Sequence, residues 1–332
     1  MEKIYYDRDA DLKYLKDKTK GIIGYGIQGH AQALNLRDSG VRVLIANRKD
    51  GYTKQAKKDG FKVHRIGELA RKSDIILLLI PDQAHAGVYN DFIKDGIRSG
   101  SMLVVAHGYS IRFRTFKIRP DIDVCMLAPR MPGHQIRGYY LSGGGVPAFV
   151  DVVYDRTGFA LKRILAVAKA AGFTKAGALR VDYKVETDLD LITEQFLVAG
   201  IVKLIHSGFK ILVDDFGYPA VPTLMELYAS GELAEVLKLA AKMGIGEVFQ
   251  KNASPTCQFG IASSFDKVLG PGIEETAKKI IRLIKDGSFS KDLDREGKDG
   301  YPEVKKLWNK VNSRKLAQAQ EWINRSFKIK EI

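Results

Sequence analysis

Short apolar runs, each followed by a stretch with helical spacing, fill the first half of the chain. After an amphipathic lead-in over residues 1–20, they predict strands at 21–24, 41–46, 74–82, 102–108, 124–130 and 148–153. Continuous apolar strands of this kind are typical of a parallel sheet that is covered on both faces. The pattern therefore predicts an α/β domain of the Rossmann type.

The pattern changes near residue 182, after which only helical spacing remains. Helices are predicted at 188–213, 222–243, 272–286 and 302–326. The run LITEQFLVAGIVKLIHSGFKILV is apolar nearly all round, which predicts a buried helix. We therefore expect a nucleotide-binding domain over residues 1–182 and an all-α domain over residues 183–332.

A glycine motif lies between the first predicted strand and the first long helix. Gly24, Gly26 and Gly29 follow the G-x-G-x-x-G pattern. Such glycines allow a tight turn and a close approach of the backbone to a pyrophosphate, which then lies at the helix N-terminus. Because strand and helix flank the motif as required, it predicts a dinucleotide site.

The residues after the second strand of a Rossmann domain distinguish the two nicotinamide dinucleotides. Arg48 and Lys49 occupy this place, followed by Asp50 and Thr53. Basic residues receive the additional phosphate of NADP, whereas an acidic residue holds the ribose of NAD. The sequence predicts a preference for NADP(H), and Asp50 leaves room for some use of NAD(H).

Candidate site residues lie at the C-terminal ends of several of the predicted strands. They are Pro81, Asp82, His107 and Arg130. In open parallel sheets ligands bind beyond the carboxyl ends of the strands, so these residues are candidates for the site. For His107 a structural and a functional role both remain open.

Two carboxylate pairs lie in the predicted helical domain. Asp190 and Glu194 are four residues apart and share a helical face. Glu226 and Glu232 are six apart, which would turn them away from each other on an unbroken helix, although Gly231 could interrupt it. Clustered oxygen ligands suit Mg²⁺. The alternative is that these acids are solvated residues at helix ends.

Composition and charge exclude several classes of protein. The 53 Lys and Arg exceed the 39 Asp and Glu, giving +14, but the basic residues are dispersed among acids, which favours solvated surfaces over nucleic-acid binding. Cys125 and Cys257 are too few for a disulfide framework or zinc site. Without an apolar run of 18 residues or an apolar N-terminal stretch, we expect a cytoplasmic protein that does not bind a membrane.

Six longer motifs carry a resemblance to a known family. They are GYGIQGHAQALNLRDSG, LLIPDQAHAGVY, VVAHGYSI, APRMPGHQIR, GGGVPA and ETDLDLITEQ. With them the chain resembles the short, class I ketol-acid reductoisomerases, also called acetohydroxyacid isomeroreductases, from YYDRDADL to DGSFSKD. The resemblance implies a Rossmann domain followed by a knotted helical domain that is intertwined between subunits. It also implies a homodimer or larger homo-oligomer with shared active sites.

The resemblance further implies a reaction in two steps and a set of site residues. An alkyl group migrates in 2-acetolactate or 2-aceto-2-hydroxybutyrate, assisted by two Mg²⁺ ions, and NADPH then reduces the product to the 2,3-dihydroxy acid of valine and isoleucine biosynthesis. The implied cofactor contacts are Gly24, Tyr25, Gly26, Ile27, Gln28, Gly29, Arg48, Lys49, Thr53, Pro81, Asp82 and Gly133. The implied metal ligands are Asp190, Glu194, Glu226 and Glu232, with catalysis by His107, Arg130 and Glu194 and substrate contact by Ser254.

Three departures from the family pattern leave alternatives open. Arg130 replaces a lysine, an exchange that keeps the charge but loses a compact titratable ammonium. Two residues are inserted before Glu232, and the loop after the second strand is one residue shorter than in long-loop members. The alternatives are a divergent paralogue that only reduces 2-keto acids with NAD(P)H, and a non-catalytic protein that binds nucleotides or nucleic acid.

Overall fold

The computed structural model describes residues 3–327, and the chain forms two compact units that divide between Leu189 and Asp190. The division falls inside one helix, a few residues after the boundary expected at residue 182. The first unit contains a nine-stranded sheet. Its strands are β1 (Ile4–Tyr5), β2 (Lys20–Ile23), β3 (Val43–Ala46), β4 (Val63–His64), β5 (Ile75–Leu78), β6 (Met102–Val105), β7 (Asp123–Pro129), β8 (Ala148–Tyr154) and β9 (Ala178–Arg180).

The strand order is β1-β9-β8-β7-β6-β5-β2-β3-β4. Strands β2 to β7 are mutually parallel, with Ile22 opposite both Ile45 and Leu77. The chain moves outward from β2 to β4, then returns to the other side of β2 with β5. This reversal is the switch point of a Rossmann sheet. The predicted fold class is confirmed.

One predicted strand runs in the opposite direction to our expectation. β8 is antiparallel to β7, with Ala148 opposite Pro129, so the expectation of a further parallel unit at 148–153 was wrong. The helix between them, over residues 133–141, packs against the first long helix through Arg137, which donates to Asn35 and Asp38. Because this helix does not return the chain to the other end of the strands, β8 starts beside the C-terminal end of β7 and runs in the opposite direction.

Helices of the first unit cover both faces of the sheet. They are α1 (Ile27–Asp38), α2 (Gly51–Lys58), α3 (Ile66–Lys72), α4 (Asp82–Val88), α5 (Tyr109–Arg112), α6 (Gly133–Leu141), α7 (Ala160–Ala170) and α8 (Phe173–Ala176). Alternate strand residues enter two separate cores, Ile22 and Leu77 on one face, Ile23 and Ile76 on the other. All four side chains are buried, which follows from the period of two along each strand.

The second unit is helical throughout its described residues. The helix α9 (Tyr183–Ile192) begins in the first unit and ends in the second. The others are α10 (Ala199–Lys210), α11 (Ala220–Leu224), α12 (Glu232–Met243), α13 (Ile245–Asn252), α14 (Pro255–Val268), α15 (Ile273–Lys285), α16 (Ser288–Lys298), α17 (Pro302–Val311) and α18 (Arg314–Ser326). Segments of π-helix at 193–198, 211–215 and 225–229 join some of them.

The prediction of a buried helix at LITEQFLVAGIVKLIHSGFKILV was wrong for the single chain. Of its residues only Leu191 and Phe209 are buried, whereas Leu197 and Leu204 remain 54% and 44% exposed. The unit's own core is small, formed by Phe209, Leu224, Leu316, Ala319 and Ile323, and cannot cover the whole helix. The continuous helix Tyr183–Asp215 has the length and composition to cross a membrane, but helices that bury themselves in water-soluble assemblies meet the same criteria.

Candidate active site

Three loops converge at the carboxyl end of the parallel strands, after β2, β5 and β6. Gly24 follows β2 directly with a φ of 101°, and a Cβ there would lie 2.3 Å from the carbonyl oxygen of Leu79. Only glycine permits this conformation and this approach without strain. The loops after β2 and β5 are therefore in contact at the switch point, where dinucleotides bind in Rossmann folds.

Two glycines of the motif have different roles: one allows close packing, and the other leaves the helix N-terminus accessible. A Cβ at Gly29 would lie 2.0 Å from the carbonyl oxygen of Gly24, so this glycine permits helix and loop to pack. A Cβ at Gly26, the N-cap of α1, would meet nothing within 4 Å, and no side chain caps the helix. The N-terminus of a twelve-residue helix is thus open to an anion such as a pyrophosphate.

At this switch point an open parallel sheet has a crevice beyond the carboxyl ends of its strands. The residues next to the glycines are held there by hydrogen bonds and close packing. The side chain of Tyr25 is buried and its hydroxyl donates to Asp59 at 2.9 Å, while burial raises its pKa. Ile27 is 58% exposed, and Gln28 donates to the carbonyl oxygen of Met131 at 3.0 Å. A Cβ at Gly133 would lie 2.2 Å from the carbonyl oxygen of Ile27, so this glycine brings α6 against the first turn of α1.

The residues after β3 form an ordered basic corner. Arg48 is 87% exposed in its side chain, and its Nε donates to Asp50 Oδ2 at 2.9 Å. The other oxygen of Asp50 accepts from the Thr53 backbone N–H and from Asn47. These hydrogen bonds, that from Arg48 foremost, lower the pKa of Asp50. The Thr53 hydroxyl in turn donates to the carbonyl oxygen of Arg48 at 2.6 Å, and Lys49 is exposed beside them.

A carboxylate and an imidazole from the other two loops meet in the crevice. Asp82 is the first residue of α4, directly after Pro81, and its Oδ2 lies 2.9 Å from His107 Nδ1. The two side chains are only 23% and 21% exposed. Because a carboxylate accepts, Nδ1 carries the hydrogen, and the tautomer leaves Nε2 as the basic nitrogen.

A buried glutamate that the sequence reasoning missed lies behind His107. Glu186 of α9 is 1% exposed and accepts from the backbone N–H of Gly108 at 2.9 Å and from Arg130 Nη1 at 3.1 Å. The Arg130 guanidinium also lies 4.9 Å from the ring centroid of Phe149. Glu186 precedes Asp190 by four residues, as Asp190 precedes Glu194, so the helical spacing could have identified it.

The predicted metal ligands differ from Glu186 in their surroundings. Glu194, Glu226 and Glu232 are exposed, and Glu194 borders a mostly apolar cleft of about 310 Å³ together with His206 and Trp308. Gly231, with a φ of 86°, does interrupt the helix between Glu226 and Glu232. Within residues 3–327 of a single chain, no three His, Cys, Asp or Glu side chains form a metal-binding group. The four-ligand magnesium site remains a prediction.

The predicted substrate contact, Ser254, has a local structural role. It is the N-cap of α14, and its Oγ accepts from the backbone N–H of Cys257 at 3.3 Å. Ser254 is exposed, so the hydroxyl remains accessible from solvent while it caps the helix.

Comparison with known proteins covers nearly the whole chain. Residues 14–177 match the family model of the acetohydroxy acid isomeroreductase NADPH-binding domain, and residues 183–328 that of the ketol-acid reductoisomerase C-terminal domain. The ketol-acid reductoisomerase (NADP(+)) of Pyrobaculum aerophilum is 39% identical over 97% of both chains, and that of Pyrococcus abyssi is 41% identical over 87% of both.

A solved structure extends this likeness to three dimensions. An NADH-preferring ketol-acid reductoisomerase from an uncultured archean matches 98% of this chain and 100% of its own, with 33% identity and a TM-score of 0.92. The resemblance expected from the motifs is confirmed, and with it the prediction of an enzyme of the NADP-dependent oxidoreductase class. The roles of the individual site residues stay predictions.

Proposed function

Because the chain belongs to the ketol-acid reductoisomerase family, we propose that it carries out both steps of that reaction. The substrate is 2-acetolactate or 2-aceto-2-hydroxybutyrate, and the product is the 2,3-dihydroxy acid of valine and isoleucine biosynthesis, made in the cytoplasm. One observation carries the proposal. The open N-terminus of α1, Asp82 and His107 follow the neighbouring strands β2, β5 and β6, so they lie at the same end of the sheet.

The basic corner after β3 favours NADPH as the reductant. Both oxygens of Asp50 already accept hydrogen bonds, one from Thr53 and Asn47 and the other from Arg48, so ribose hydroxyls would compete with these donors for Asp50. Arg48 uses only its Nε in this contact, which leaves its terminal nitrogens for a phosphate. We expect KM for NADPH to be below KM for NADH. Arg48→Ala should raise KM for NADPH about 10-fold, which is the effect of one lost charge-assisted contact.

Magnesium is the metal that the carboxylate ligands suit best. Asp190 and Glu194 from one chain, with Glu226 and Glu232 from a second copy, would hold two ions. All four offer only oxygen atoms, which match the hard Mg²⁺ ion. Bound Mg²⁺ supplies a Lewis acid that polarises the keto and hydroxyl oxygens of the substrate.

Residues of the first unit handle protons and charge in this proposal. Asp82 holds His107 with the hydrogen on Nδ1, so Nε2 is the nitrogen that would take up or release a proton in the reaction. The Arg130 guanidinium balances the negative charge of Glu186, and the Gly108 N–H donates to the other oxygen of the same carboxylate. A guanidinium held in this way orients a carboxylate well but cannot give up a proton at neutral pH.

That property of Arg130 favours a second candidate, an enzyme that has lost the migration step. Such a protein would reduce only the already rearranged 3-hydroxy-2-ketoacid. Its motivation is the same ion pair, because Glu186 engages the guanidinium where the family pattern has a lysine.

The decisive experiment compares the two substrates with NADPH, each with Mg²⁺ and with EDTA. Turnover of 2-acetolactate that requires Mg²⁺ supports the full reaction, and turnover of the rearranged acid alone supports the second candidate. Asp190→Asn should lower turnover at least about 100-fold, whereas Glu235→Gln, in the exposed first turn of α12, should not. No oxidation of NADPH with either acid would contradict both candidates.

A second copy of the chain is part of the proposal. The exposed apolar side chains of helix Tyr183–Asp215, among them Leu197, Val198 and Leu204, form a surface that water does not favour. A homodimer that buries this surface would also bring Glu226 of one copy to Asp190 of the other. Sedimentation at micromolar concentration should therefore give at least twice the mass of the 36.9 kDa chain.

A further inference from the structure

Beneath the contact between Asp82 and His107 lies a buried pair that the proposed reaction does not use. Ser110 is 1% exposed and His85 is 2% exposed. Ser110 Oγ lies 2.7 Å from His85 Nδ1 and 3.4 Å from Asp82 Oδ1, and His85 Nε2 lies 3.0 Å from the carbonyl oxygen of Ile80.

The hydrogens of this pair can be assigned from its partners. A carbonyl oxygen only accepts, so His85 Nε2 must donate to Ile80. Burial lowers the pKa of His85, which Asp82 opposes and His107 reinforces, so the ring is neutral at pH 7. Nδ1 of the neutral ring then accepts from the Ser110 hydroxyl. Every polar atom of His85 thus has one defined role.

These hydrogen bonds join the two loops that carry the crevice side chains. Ile80 belongs to the loop after β5, which leads into α4 and Asp82, while Ser110 lies in α5, three residues after His107. His85 therefore fastens the Asp82 loop to the His107 loop from below. The distance between Asp82 and Nδ1 depends on how these loops are held together.

We propose that His85 and Ser110 are positioning residues that hold Asp82 against His107 and so keep Nε2 of His107 the basic nitrogen. The proposal rests on the function proposed above for His107. Other charged groups beside this segment are Glu186 of α9, on the N–H of Gly108, and Arg130 next to it. Arg112 of α5 also pairs with Asp188 of α9 at 3.2 Å. The variants below leave all four side chains unchanged.

The test follows the imidazole of His107 directly and through turnover. Ser110→Ala and His85→Phe each remove the link, while Ser110→Thr keeps the hydroxyl. With Asp82 held less firmly, the protonated ring loses part of its counter-charge, so the His107 NMR titration should shift by about 0.5 pH unit or more to lower pH. Turnover should fall about 10-fold with KM for the substrate unchanged, and its pH profile should move in the same direction.

A matched control separates positioning from simple loss of a buried hydroxyl. Ser73 is also buried, and its Oγ donates to the carbonyl oxygen of Leu69 at 2.8 Å, away from the crevice. Ser73→Ala should lower the melting temperature but leave the His107 titration and the pH profile unchanged. The double variant Ser110→Ala/His85→Phe should shift the titration no further than either single variant, because both act through one link.

The positioning role and the proposed function are tested separately. If Ser110→Ala lowers the melting temperature as Ser73→Ala does but the His107 titration does not move, the positioning role is refuted. If His85→Phe does not fold, Ser110→Ala with its threonine rescue still decides. The titration needs no substrate, so a wild-type protein that fails to turn over acetohydroxyacids would refute the proposed function without affecting this test.

Discussion

The two units of the chain differ in how completely each buries its own apolar residues. The sheet unit contains two cores, one on each face, and its central strand residues are fully buried. The helical unit has one small core around Phe209 and Leu224, while apolar side chains on α10, α12 and α14 stay exposed. A sheet covered by its own crossover helices is complete within one chain, whereas these helices need a further surface.

The largest effect should come from a charge on the exposed apolar helix. Leu204→Asp should leave the secondary structure intact but give a monomer, and turnover should fall at least about 100-fold, because an unpaired carboxylate is costly to bury in an interface. Sedimentation and the acetolactate assay would measure it. Lys285→Asp, on the exposed side of α15, should change neither. An unchanged mass for Leu204→Asp would show that this surface is not an interface.

A cavity in the sheet unit should act without regard to assembly. Leu77 is fully buried in β5, so Leu77→Ala should cost about 3 kcal/mol of unfolding free energy, within the range for such truncations. Hydrogen exchange of the β5 and β6 peptides should show the loss at any protein concentration. The matched truncation Leu204→Ala, at a 44% exposed position, should show a loss that depends on concentration. Equal concentration dependence of the two would erase the contrast between the units.

The sheet unit also contains a buried charge with a pH signature. Lys20 begins β2 and is 1% exposed; it donates to the carbonyl oxygens of Leu15 and Lys18, yet burial lowers its pKa from 10.5 to about 8. Below pH 8 the ammonium is charged in both states and its burial cost is complete. Between pH 8 and 10.5 the unfolded chain binds more protons, so stability rises with pH by roughly 3 kcal/mol.

Denaturant unfolding of wild type and Lys20→Met over this range would test that sign. The unfolding free energy of the wild type should increase relative to that of Lys20→Met as the pH rises above 8. Lys16→Met, at an exposed position, should show the same pH dependence as the wild type. A gap that stays constant with pH would mean that Lys20 is charged in the folded state throughout.

The smallest expected effect concerns Ser254 in the helical unit. Ser254→Ala should cost about 1 kcal/mol through loss of the α14 cap. Ser313 caps α18 in the same way, so Ser313→Ala should cost a similar amount. If Ser254 also contacts the substrate as predicted, only Ser254→Ala should raise KM for 2-acetolactate. Equal kinetics of the two variants would leave Ser254 with the cap alone.

Local chemistry made the sheet unit predictable. Strands β2, β3, β5, β6 and β7, the glycine motif and the fold class follow from apolar runs and turn residues that act over a few positions. The direction of β8 could not be predicted in this way, because it depends on α6 packing against α1 rather than on the strand's own residues. The short strands β1, β4 and β9 have too few residues for a pattern.

The helical unit and the site were less accessible to sequence reasoning for physical reasons. Helical spacing predicted α10, α12 and α15, but the π-helical segments and the interruption at residues 312–313 divide helices that periodicity joins. The apolar helix was expected to be buried because periodicity cannot tell whether the rest of the same chain is large enough to cover it. Glu186 was overlooked although it lies one helical turn before Asp190, because spacing alone does not tell a buried carboxylate from an exposed one.

The borders of the nine-stranded sheet have a consequence for how copies of this protein can meet. β1 at one border and β4 at the other are each two residues long. Edge strands this short have few unpaired N–H and C=O groups with which a strand of another chain could pair. Growth by strand addition is thereby discouraged, which favours association through the side chains of helices and loops.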